Sequence, residues 1–173
     1  MGNKFKNRNR MSGEGKRKHL FISHHHKDDK TVSDFISLIS GRGYDVRNSS
    51  IRAKPANQRR LDEKRVSDEV IKRLLRMKIS WAGTVVVLIG KDTHTRPWVD
   101  WEINKAKEQG KRIVGVFARG GTDADIPKGL KDYSSAIVNW NSDSIIGALD
   151  GDNVFKDPDG SIRPGGGGGS VTC

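Results

Sequence analysis

The chain has 173 residues, enough for one domain with its own core, and carries a single cysteine, Cys173. That cysteine count excludes a disulfide framework within the chain and fits a reducing compartment. The formal net charge is +11, but the excess is local: residues 1–18 hold seven Lys/Arg against Glu14, and residues 47–78 hold eleven against four acids.

Residues 1–18, rich in Lys, Arg, Asn and Gly, read as a disordered basic tail. They lack the apolar stretch of a secretory signal. The short apolar run His19–Ser23 predicts the first strand, and His24, His25 and His26 follow in a loop. Val32, Phe35, Ile36, Leu38 and Ile39 have helical spacing over 31–40, with Asp29 as a candidate N-cap and Gly41 and Gly43 as the stop. Tyr44 to Ile51 reads as a second strand. Residues 52–60 form a basic loop. From about Leu61, the pattern Val66, Val70, Ile71, Leu74, Leu75, Ile79 predicts a long amphipathic helix, with Asp62 and Glu63 favouring its start.

The apolar run Thr84 to Ile89 predicts a buried strand. A polar loop then leads to Pro97, a residue favoured in the first helical turn, and a helix to about Gln109. On that helix Val99, Ile103 and Ala106 make the core stripe. Trp98, Glu102 and Lys105 make the neighbouring one, which puts Glu102 on the border between packing and solvent. Residues 111–117 predict a fourth strand, 119–132 a Gly/Asp/Pro loop, 135–140 a fifth strand and 142–149 a last helix. From Gly151, with five consecutive glycines further on, the chain reads as a loose tail. The domain is therefore expected over 19–150. No run of about eighteen apolar residues predicts a membrane span.

Five short strands alternating with helices predict an α/β domain: a five-stranded parallel sheet, order 2-1-3-4-5, with helices on both faces. In such folds the ligand crevice lies at the carboxyl ends of strands 1 and 3. Those ends deliver Ser23 and the histidines on one side, and Lys91 to Trp98, then Glu102, on the other.

These residues also carry a family resemblance. His19-Leu-Phe-Ile-Ser-His24, then Val85-Val-Val-Leu-Ile-Gly90, then Trp98-Val-Asp-Trp-Glu102 resemble TIR domains in order and spacing, across roughly 18–149. The set is most similar to the TIR-like (ThsB-type) subunit of Thoeris anti-phage systems. The resemblance implies a flavodoxin-like TIR fold and a cytoplasmic enzyme that cleaves NAD+, its substrate rather than a cofactor. It further implies release of a cyclic or conjugated ADP-ribose signal to a partner effector, with assembly into homo-oligomers as a related expectation. Under it, Glu102 is the catalytic acid, and Ser23, His24, Trp98, Phe21 and Lys91 are candidate substrate contacts. Two departures stand out: Lys54-Pro55-Ala56 replaces a common Pro-Gly, and Lys91 replaces a serine.

The residues alone leave plainer readings open. Glu102 also fits a surface acid paired with Lys105 or Lys107, and Trp98 a helix-start anchor. Trp101 reads as packing and Asp100 as structural. Three adjacent histidines invite a metal reading, but neighbouring loop side chains point apart and only His94 is a distant partner, so no metal is assigned. Arg52, Lys54, Arg59 and Arg60 fit a solvated face, with one or two free to attract phosphates. Neither a Gly-x-Gly-x-x-Gly nor a P-loop pattern occurs. A non-catalytic adaptor remains the alternative function. Nucleic-acid binding is the weakest reading, because much of the charge sits in the tail.

Overall fold

The computed structural model describes residues 18–25, 29–48, 63 and 66–164. Of the predicted basic tail 1–18, Lys18 is not tail but the first strand residue, and the rest lies outside the described residues, as do the basic loop with Arg52, Lys54, Arg59 and Arg60, and His26. Five strands, β1 (Lys18–Ser23), β2 (Tyr44–Asn48), β3 (Thr84–Ile89), β4 (Arg112–Phe117) and β5 (Ala136–Val138), form one sheet. All pairings are parallel and the order is β2-β1-β3-β4-β5, the predicted topology.

Among the described residues five helices cover it: α1 (Asp29–Ile39), α2 (Asp68–Trp81), α3 (Pro97–Glu108), α4 (Lys128–Tyr133) and α5 (Ser142–Asp150). Side chains alternate across the pleat, so each strand feeds two cores. Val85, Val87 and Ile89 of β3 face α2 and α3, packing with Leu75, Ile79, Ile103 and Phe21. Val86 and Leu88 face α1 and α5, packing with Phe35, Ile39, Ile145 and Leu149. β3 is buried along its whole length, as a central strand covered on both faces must be. Among the described residues no helix is long and apolar enough to cross a membrane.

Three expectations about the elements are corrected. Helix α2 begins at Asp68 rather than near Leu61: Ser67 caps it by accepting from the Val70 amide, and Asp68 and Glu69 supply the first-turn acids. Glu63 sits in a turn before it. The stretch predicted as loop contains α4. Gly129 lets that helix close on α3, because a Cβ there would meet Ile103 Cγ2 at 2.7 Å. The chain beyond Gly151 is not loose over its first part. Phe155 pairs with Ile137 at the edge of β5 and packs against the α2/α3 core, and Lys156 bridges back to Ile162.

Candidate active site at the carboxyl edge of the sheet

Parallel strands point all their carboxyl ends one way, and the winding reverses between β1 and β3. Ser23 is the last residue of β1, and being two residues after Phe21 it shares the α2/α3 face. Helix α3 crosses the same face. Its buried positions are Val99, Glu102, Ile103 and Ala106, the i, i+3, i+4, i+7 stripe of a packed helix. Glu102 thus lies within the core stripe and not on its solvent border. It is 3% exposed, and Ser23, fully buried, donates a short hydrogen bond from Oγ to Glu102 Oε2. The predicted juxtaposition of the first strand's end with Glu102 is present. The surface-acid alternative is not: Lys105 pairs with Glu108, and Lys107 stands over the Tyr133 ring at 3.7 Å.

The other candidates divide. His24 is also buried, at 7% exposure, and by alternation it leaves the strand towards the opposite face; its Nε2 lies 3.3 Å from Asp29 Oδ1 at the start of α1. Trp98 is half-buried one turn before Glu102, packed edge-on against Trp101 with centroids 5.9 Å apart. Trp101 is held further by Arg76 and Lys105, each just under 6 Å from its ring, which fits a packing role. Lys91 is exposed in the loop after β3. Phe21 is fully buried in the core between the sheet and α2/α3, so it supports Ser23 from within. Burial raises the Asp100 carboxyl above its usual range, with His94 opposing.

Sequence reasoning missed two groups. Arg96, the residue before Pro97, has a buried Nε with no hydrogen-bond acceptor among the described residues. A buried cationic donor left open beside a helix start calls for an explanation. Asp125, in the turn Asp123–Asp125, is 7% exposed and accepts from the Asp92 amide at 2.9 Å and from the Thr122 amide and hydroxyl at 2.8 Å. Nothing in a Gly/Asp-rich loop marks one aspartate as buried. Among the described residues no group of three or more His, Cys, Asp or Glu is arranged to hold a metal ion. Two surface cavities lie elsewhere, one beside Met77 and Trp81, the other beside Asn141 and Asp152.

A doubly wound parallel α/β domain with a buried acid where the winding reverses is the class that fold and site define. The chain belongs to the family of the TIR-like domain of Thoeris protein ThsB, whose model matches residues 21–123, a span that includes Ser23, Trp98 and Glu102. A curated relative, "Putative cyclic ADP-D-ribose synthase ThsB1" of Bacillus cereus (strain MSX-D12), is 32% identical over 107 residues, 61% of this chain and 54% of the relative. The match thus spans about half the length of that relative. Among solved structures, the Clostridium botulinum CMP N-glycosidase BcmB superposes with a TM-score of 0.49 at 18% identity, covering 77% of this chain and 98% of that one.

Proposed function

We propose that this chain cleaves the nicotinamide–ribose bond of NAD+ through Glu102 and converts the ADP-ribose portion into a cyclic signal. A partner effector of the same anti-phage system, in the cytoplasm, would receive that signal. The observation that carries the reading is the buried Glu102 at the switch point, held by Ser23. Membership of the ThsB family and the name of the Bacillus cereus relative support it. A pure adaptor has no use for a desolvated acid in a core stripe.

The chemistry follows from charge. As the bond breaks, its electron pair leaves with neutral nicotinamide and positive charge grows on the anomeric carbon and ring oxygen. A carboxylate in a low-dielectric setting stabilises that charge far more than one in water. Ser23 fixes the rotamer of Glu102, so little reorganisation is needed when charge develops. A nucleophile's lone pair then closes on the anomeric carbon: water gives ADP-ribose, while an atom of the same molecule gives a ring. Trp98 offers an indole face and His24 an imidazole near the strand end. Arg96, whose Nε lacks an acceptor among the described residues, is the cation we assign to the pyrophosphate.

Mass spectrometry of NAD-derived products tests this, from phage-challenged cells carrying the wild type or Glu102→Gln. The expected result is nicotinamide with an ADP-ribose-derived product from the wild type and neither from the variant. Equal product from both would overturn the role of Glu102.

A further inference from the structure

The loop after β4 is stitched to the loop that launches α3. Ala118 donates its amide to the Ile89 carbonyl at 3.0 Å, and Gly121 lies so close that a Cβ there would sit 2.1 Å from the same oxygen. Beyond this backbone contact, Asp125 spans both loops with one carboxylate. Its Oδ1 accepts from the Asp92 amide, and its Oδ2 from the amide and hydroxyl of Thr122. Asp92 has φ of 61°, the single positive value outside glycine among the described residues. Aspartate tolerates that conformation, but the hydrogen bond from its amide is what favours it here. Next to it Thr93 is fully buried, its hydroxyl accepting from the Gly90 amide and donating to the Gly90 carbonyl. Four residues later, at Pro97, the chain enters α3. The last described segment braces the other side, with Arg163 bonding Asp123 and, at 2.9 Å, Asp157.

We propose that Asp125 is a positioning residue for Glu102: it pins Asp92, fixes where α3 starts, and so sets the acid against Ser23, with Arg163 steadying the turn from behind. This rests on the reading of Glu102 as the catalytic acid. The geometry distinguishes Asp125 from a residue that merely stabilises its own turn. A local cap would satisfy Thr122 alone, whereas this carboxylate gives its second oxygen to the loop across the seam. Because α3 is rigid, a small shift at Asp92 is carried to Glu102, and misplacement by about 1 Å can lower turnover by about a hundredfold.

The test compares the full chain with Asp125→Asn, which keeps the volume but offers an amide N–H to one of the donors. Hydrogen exchange followed by mass spectrometry and NAD+ turnover are measured on both. Exchange over residues 91–97 is expected to quicken about tenfold or more while the strands keep their protection. The kcat is expected to fall about tenfold or more, with KM changed by less than about threefold. Unchanged exchange at 91–97, an equal rise across all five strands, or a local rise with kcat retained would each overturn the proposal. A wild type that consumes no NAD+ removes the role of Glu102, and the exchange arm then decides on its own whether Asp125 holds the start of α3.

Discussion

Helices α3 and α5 cover opposite faces of one sheet with the same local spacing of buried residues, and one of the matched positions differs in polarity. Val99, Glu102 and Ile103 are buried on α3; Ile145, Ala148 and Leu149 are buried on α5. Where one helix places a methyl group, the other places a carboxyl. The α5 face is apolar throughout its cluster, and the sheet residues beneath are small and branched. On α5 an apolar residue at the matching point of the stripe packs without any polar partner for its side chain being needed. Burying a carboxyl opposes folding unless hydrogen bonds compensate, and even then an apolar residue of like size is often as stable or more so. A buried acid there fits the catalytic role proposed for Glu102, at some expense in stability.

The largest effect expected is on activity. Replacing Glu102 with Gln keeps shape and a hydrogen-bond acceptor for Ser23 but removes the charge. NAD+ cleavage should fall by about a hundredfold to a thousandfold or more, the scale of losing an electrostatic stabiliser. The thermal midpoint should hold or rise. A folded variant with wild-type cleavage, or a variant that no longer folds, would recast the acid as structural. The reciprocal change, Ala148→Glu, puts a carboxyl into an apolar cluster where the neighbouring Arg112 guanidinium is already engaged by the Ala148 and Asp152 carbonyls and by Asn153. A destabilisation of about 3–5 kcal/mol is expected, read as a drop in the urea midpoint. A midpoint equal to wild type would mean the two faces tolerate charge alike and would dissolve the contrast.

A smaller effect separates the acid from its partner. Ser23→Ala removes a buried donor and leaves Glu102 with one hydrogen bond fewer, which should reduce stability by about 1–3 kcal/mol. Combined with Glu102→Gln, the two changes in stability should not add, because the residues touch. Strict additivity in the double variant would show that the short contact contributes no coupling. Arg96→Met should raise KM for NAD+ with little change in kcat, as expected when a contact to the unreacting phosphates is lost. A change confined to kcat would move Arg96 out of the binding role.

Much of this arrangement can be read from residues alone, and what cannot follows a pattern. Alternating short apolar runs and helical periods predict the sheet order because parallel crossovers leave few alternatives. Pro97 marks the start of α3 through its fixed φ and missing N–H. Glu102, however, is predicted one step off, at the rim with Trp98 and Lys105. Periodicity assigns faces from hydrophobicity, and a buried acid counts as polar in that reckoning; the hydrogen bond from Ser23, seventy-nine residues away in sequence, helps to make its burial tolerable. Helix α4 hides because Gly129 argues against a helix locally, while its lack of a side chain is what allows α4 to touch Ile103. Residues 151–164 hide because two adjacent residues, Val154 and Phe155, anchor a stretch made mostly of turn formers and charges.

The smallest effect expected concerns acid, and it separates the seam at Asp125 from the rest of the carboxyl edge. Burial by itself would raise the Asp125 carboxyl. The amides of Thr122 and Asp92, the Thr122 hydroxyl and the His94 ring, 3.9 Å away, outweigh burial and hold it below the usual carboxylate range. In the unfolded chain the group takes up its proton near the ordinary value of about 3.9. Its contribution to stability is therefore complete above that value and is lost as pH falls through the lower, folded value. Asp150, lowered mainly by the Lys18 ammonium, and Asp159, lowered mainly by Ser161, titrate in the same direction, so wild-type acid unfolding alone cannot isolate the seam. The difference in urea midpoint between wild type and Asp125→Asn can, since both chains share those groups. That difference should shrink as pH falls below about 4. A difference that stays level to pH 2 would mean that ionisation of Asp125 contributes nothing and that shape alone holds the two loops together.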